Sequence, residues 1–262
     1  MKDFLPTFTF GFLMAQLFPG AVTVLCITCP YAALTVSHLT TAQGGFFRMI
    51  GLFESVGDLW FGSTRNAVVF LFFAAATGMF LHGIDWMILG WETQKCNDKG
   101  IPIPGDDGVI SLCHLAFHNQ PLWKQFLLAP LNMLREIFRL FRAPALTWIT
   151  MDENLPEISP ASLPLFNWLQ DFYLYFGQFY IHMSYSLLIG FFSMAVTYSI
   201  IGTSLLRILF LVFLYFLASL FFLMGRTQLA SLFKNEDALI TASQDGKDKP
   251  YEVVVTNKPY VP

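Results

Sequence analysis

The chain has 262 residues, of which 55% are hydrophobic and only 13% charged, with a mean hydropathy of +0.55. A soluble domain of this length is far less apolar, so the composition marks an integral membrane protein. The net charge of -3, without any block of lysine and arginine, excludes a nucleic-acid footprint.

The chain opens with Lys2 and an apolar run, the beginning of a signal-peptide pattern. The uncharged stretch then continues from Phe4 to Phe47, much longer than a cleaved h-region, and is read as a first membrane span near residues 8–34. Inside it, MAQLFPGAVTVLCITCP carries Pro19, which lacks a backbone donor, next to the permissive Gly20. This pair predicts a kink or break, and broken membrane helices present carbonyls and helix ends to ions or substrates. Cys26 and Cys29 form a CxxC with no βαβ context and no second CxxC, so they read as small apolar residues.

Residues 46–62, FFRMIGLFESVGDLWFG, read as an interfacial amphipathic segment. The second span, near 67–91, is uncharged except for Asp85, and its Ala74, Ala75, Ala76 and Gly78 allow close helix contact. In the loop that follows, CHLAFH sets His114 and His118 at i, i+4, on one helical face if the segment is helical. With Cys113 or Cys96 as a thiolate, that pair would suit zinc, although the glutamate of HExxH is missing. Beyond this zinc alternative the sequence implies no cofactor.

Residues 127–142 carry Arg135, Arg139 and Arg142 on one helical face, while Met133, Leu134, Ile137, Leu140 and Phe141 cover the other. Such a helix can lie on an anionic leaflet or dock on the protein's own bundle, and both need the apolar stripe. MDENLPEISPASLP, residues 151–164, reads as a loop. Two further spans, near 173–200 and 205–225, form a hairpin about Gly202-Thr203, with Arg207 at the turn and in reach of the headgroups. Residues 226–262 read as a polar tail in which YEVVVT, residues 251–256, is a short β-prone run able to pair with an edge.

The predicted fold class is therefore all-α: a polytopic membrane protein with about four transmembrane helices in residues 1–225, interfacial amphipathic helices, and the tail. Twelve of the fifteen lysines and arginines fall on one side of this topology, which predicts cytoplasmic termini in an inner (plasma) membrane. At one depth the topology gathers Gln16, His82, Asp85, Gln178 and His182 from three helices. An unpaired charge there is costly, so the five are expected to meet, either as a proton or ion site or as a packing clamp. No GxSxG, P-loop or GxGxxG is present, and an enzyme is disfavoured.

The functional expectation is a membrane-embedded subunit, anchor or sensor whose loop and tail meet partners. Those partners are the bilayer, other membrane or cytoplasmic subunits, or further copies of the chain. The alternatives are an ion or proton channel, transporter or membrane-disrupting effector using the polar cluster, and a metalloenzyme using His114 and His118.

Overall fold

Backbone surrounded by hydrocarbon must satisfy its own hydrogen bonds, and a helix does so within one segment. The computed structural model describes residues 11, 13–39, 45–98, 121–140, 164, 165, 168 and 174–244, and among these every regular element is helical. Helix α1, Phe18–Leu39, is preceded by a wider π-helical turn, Leu13–Leu17. Then come α2, Gly45–Phe61; α3, Thr64–Asp98; α4, Leu122–Leu140; α5, Tyr175–Ile201; and α6, Leu205–Gln244. Four stretches are long and apolar enough to cross a membrane: Leu13–Thr35, Thr64–Asp85, Tyr175–Ile201 and Leu205–Leu229. Their exposed faces carry residues such as Phe72, Phe80, Leu209 and Phe213, as lipid contact requires.

The irregularity expected at Pro19-Gly20 lies one turn upstream. α1 runs helically through both residues, and the chain widens at Leu13–Leu17, ahead of the missing proline donor. Likewise α6 does not stop at Gly225. It remains helical to Gln244, because the polar residues after the span are still good helix formers; loss of hydrophobicity is not loss of helix. Residues 251–256 lie outside the described residues.

α5 is the most enclosed helix, packed between α1 and α6. It runs parallel to α1: Ala15 meets His182, Thr23 meets Ser186, and Cys26 meets Ser193. α3 runs antiparallel to α1, and the two backbones touch. A Cβ on Gly20 would overlap the Ala74 carbonyl oxygen, and one on Gly78 would overlap the Gln16 carbonyl oxygen, so neither position accepts a side chain. Residues 13, 85, 175 and 229 therefore end their spans at one face of the bundle, the near end; the α5–α6 turn lies at the far end.

Local chemistry builds that turn. Gly202 takes φ +88, which favours glycine, and the Ser204 hydroxyl and carbonyl accept from the Arg207 and Ile208 amides at 3.4 and 3.0 Å to start α6. Arg207 does not reach outward as expected. It is 3% exposed and folds back to donate from Nη1 to the Ile201 carbonyl at 3.0 Å and to the Gly202 carbonyl, with its guanidinium 5.8 Å from the Tyr198 ring centre. Carbonyls at a helix C-terminus lack intrahelical donors, and a buried guanidinium supplies several. Arg48 of α2 donates to the same Ile201 carbonyl at 3.3 Å.

α2 closes the far end with Leu52 and Val56 buried, Trp60 Nε1 donating to Thr28 Oγ1 at 3.3 Å, and Trp60 and Phe61 packed on Phe70. α4 docks on the bundle through Ala129, Pro130 and Met133 while Trp123, Leu127, Leu131 and Phe138 remain exposed. The Tyr215 hydroxyl donates to the Leu127 carbonyl, and Phe126 stacks on Phe216 at 5.3 Å. That contact is ten residues into α6, roughly 15 Å along its axis at 1.5 Å per residue. The side chains of Arg135 and Arg139, and all of Arg142, lie outside the described residues.

Candidate proton-binding site at the near end

Five polar residues of α5, Gln178, His182, Ser186, Ser193 and Thr197, recur at spacings that keep them on one side of the helix. The α1-facing members meet a complementary row on that helix. Thr23 Oγ1 lies 2.8 Å from Ser186 Oγ and 3.0 Å from the Pro19 carbonyl oxygen, while Ser186 Oγ is 2.9 Å from the carbonyls of both Pro19 and His182. Each hydroxyl has one proton, so a consistent arrangement has Thr23 donating to Ser186 and Ser186 donating onward to a carbonyl.

One turn nearer the end, His182 is fully enclosed at 0% exposure, and its Nδ1 is hydrogen-bonded to the Ala15 carbonyl. A carbonyl only accepts, so Nδ1 carries a hydrogen and donates it. The other nitrogen, Nε2, then faces Asp85 Oδ2 at 3.9 Å. Asp85 is 5% exposed, and the His82 and His182 rings meet nearly at right angles with centres 5.5 Å apart. Arg226 of α6 is buried too, its guanidinium 5.3 Å from the Phe222 ring centre, and it is near enough to act electrostatically on Asp85.

Of the five residues expected to meet, His82, Asp85 and His182 form the centre. Gln178 is buried one turn before His182 on α5, and half-buried Gln16 adjoins Ala15 on the π-helical turn, where its carbonyl packs against Gly78. Pro19 and Gly20 belong to the same neighbourhood, one through its carbonyl and the other through the α1–α3 contact. Arg226 was not expected there, because it ends a charge-free run and reads as an ordinary cytoplasmic-side cation. Thr23 and Ser186 are also additions; the four-residue steps Pro19–Thr23 and Gln178–His182–Ser186 are the sequence signal for them. Of the zinc alternative, Cys96 stands on the backbone of α3 with its side chain outside the described residues, as are Cys113, His114 and His118. Among the described residues no group of three or more histidines, cysteines and carboxylates is placed to hold a metal ion.

The arrangement has room to hold a proton between two groups that can each carry it. With Nδ1 committed to Ala15, one hydrogen suffices for the space between Nε2 and Oδ2. It resides on the carboxyl group or on the imidazole, and the pair is neutral overall in both forms. Removing it leaves a lone pair facing a carboxylate in an enclosed place, with Arg226 as a compensating charge that acts on Asp85. At 3.9 Å the pair is longer than a hydrogen bond, and a shift of about 1 Å brings it to charge-assisted length.

Fold and site together define a multi-pass helical membrane protein with a buried histidine–aspartate pair. No protein-family model, no curated protein and no solved structure matches the chain.

Proposed function

We propose that this chain is a proton-binding membrane protein that senses or conducts protons through the His182–Asp85 pair, with His82 as the neighbouring group from which a proton arrives or to which it leaves. The orientation of His182 supports the reading best: Nδ1 is taken up by a backbone carbonyl, which leaves Nε2 as the nitrogen that exchanges a proton with Asp85. A clamp that only fixed helix packing would need no second histidine against its ring and no buried arginine acting on its carboxylate. We take the membrane to be a bacterial-type inner membrane with both termini cytoplasmic, so the near end faces the cytoplasm.

The experiment is proton flux into vesicles containing the purified protein and a pH-sensitive dye, under an imposed gradient. Asp85→Asn and His182→Gln should each reduce the protein-dependent rate by tenfold or more, and His82→Gln by less. Rates unchanged in both central variants, with the proteins folded, refute the conducting form. Unchanged proton uptake by the detergent-solubilised variants, measured by potentiometric titration, refutes the sensing form as well.

A second reading, a membrane subunit that anchors partners, is favoured by α6 alone. Residues 230–244, ASLFKNEDALITASQ, continue that helix beyond its apolar span by roughly 22 Å. A rigid extension of that kind suits docking of other subunits or of a second copy. Loss of copurifying protein on removing residues 230–262, with insertion intact, would support it.

A further inference from the structure

α1 contains two prolines within its helical stretch, Pro19 and Pro30. A proline has no N–H, so the carbonyl four residues before it loses its ordinary helical donor. For Pro30 that carbonyl is Cys26; for Pro19, at the junction where the π-helical turn Leu13–Leu17 passes into α1, the carbonyl four residues back is Ala15. Both receive a side chain from α5: His182 Nδ1 donates to Ala15 and Ser193 Oγ donates to Cys26. The prolines are eleven residues apart, and so are their α5 donors. Eleven residues is close to three helical turns, so the two parallel helices meet twice in the same register. In an apolar surrounding a vacated carbonyl is a strong call on any nearby donor, and here each is answered by the facing helix.

The two keys differ in chemistry. A serine hydroxyl rotates to suit its acceptor and commits nothing else; an imidazole that donates from Nδ1 commits its whole ring. We infer that Pro19 is a positioning residue for His182: by withholding the α-register N–H from the Ala15 carbonyl, it leaves that carbonyl open to the imidazole, holds the neutral ring in the Nδ1–H form and aims a bare Nε2 at Asp85. The functional consequence rests on the proton-site reading above, whereas the tautomer itself does not. Among the described residues the groups facing His182 are Asp85 and His82 from α3 and the Ala15 carbonyl from the turn before α1, and Arg226 of α6 acts electrostatically on Asp85. Of these only Ala15 is an obligate acceptor that cannot change its protonation, which is why it decides the ring's state.

Nitrogen NMR of protein labelled with 15N-histidine in lipid bilayers tests this directly, because protonated and bare ring nitrogens resonate far apart. The His182 signals are assigned by their loss in His182→Gln. In the unsubstituted protein, at a pH where the ring is neutral, His182 should show a protonated Nδ1 and a bare Nε2. Pro19→Ala restores an N–H to the helix, so the Ala15 carbonyl gains an internal competitor and the ring should shift to a mixture of tautomers or to Nε2–H. Pro30→Ala makes the same change in the same helix against a serine and should leave the His182 signals in place. An Nε2–H ring in the unsubstituted protein overturns the inference, and that measurement needs no variant of Pro19 to fold. An unaltered Nδ1–H ring in folded Pro19→Ala overturns it too, as does an equal shift in Pro30→Ala. If the tautomers behave as expected while proton flux and uptake ignore Asp85 and His182, the proline inference stands and the proposed function falls.

Discussion

The contact between Gly20 and Gly78 lends itself to a quantitative test. Each glycine faces backbone of the opposite helix, Ala74 in one case and Gln16 in the other, so an added methyl group cannot be relieved by rotating a side chain. α1 and α3 must separate instead. Overpacking of this kind costs about 1–3 kcal/mol, and the gain in helix propensity from glycine to alanine returns at most about 1. Gly20→Ala and Gly78→Ala should each lose roughly 1–2 kcal/mol, which for a chain of this size lowers the thermal midpoint by roughly 3–6 °C. The double variant should cost little more than one single variant, since helices already parted by one methyl accommodate the second, and the two changes should therefore be strongly non-additive. Gly57 and Gly83 have open space where a Cβ would go; alanine there should be neutral or slightly stabilising. The assay is a set of melting curves in one detergent for the parent, both singles, the double and the two controls. Midpoints unchanged for Gly20→Ala and Gly78→Ala would refute the backbone contact, and strictly additive losses would refute the shared separation.

Two further predictions concern the far end. Arg207→Met should destabilise the α5–α6 hairpin by about 2–3 kcal/mol, since the Ile201 and Gly202 carbonyls lose a charged donor, and Arg207→Lys should recover only part of it; unfolding midpoints in detergent check both. Gly202→Ala should cost about 1–3 kcal/mol through its positive φ, and a midpoint equal to that of the parent would show that the turn relaxes into another form.

The four spans were legible because uncharged runs of that length have no other stable place, and the meeting of His82 and Asp85 with His182 was legible from depth alone. What depth cannot give is a partner's identity. Arg226 reads as a loop cation because its neighbours beyond Gly225 are polar, yet α6 persists and buries it where it acts on Asp85. Arg207 sits where a headgroup contact is the usual outcome, and the open carbonyls of Ile201 and Gly202 compete successfully for it. Pro19 announces a disturbed helix, but the side chain that answers it comes from His182, which no local pattern couples to residue 15. α4 shows the same limit: its apolar stripe required burial somewhere, and the flank of the bundle is chosen by its contacts with α3 and with Tyr215 and Phe216 on α6.

Under the proposed proton-binding function, the position of His182 along its own helix has an electrical consequence. It stands seven residues from Tyr175 and nineteen from Ile201, roughly 10 and 28 Å at 1.5 Å per residue. If voltage falls in proportion to that distance, a proton arriving from the nearer surface crosses only about a quarter of the drop, and one leaving to the opposite surface crosses the rest. At about 2.3 kcal/mol per charge for 100 mV, the short leg involves roughly 0.6 and the long leg roughly 1.7 kcal/mol. Occupancy would then follow the acidity of one compartment, while onward passage would follow the polarisation of the bilayer.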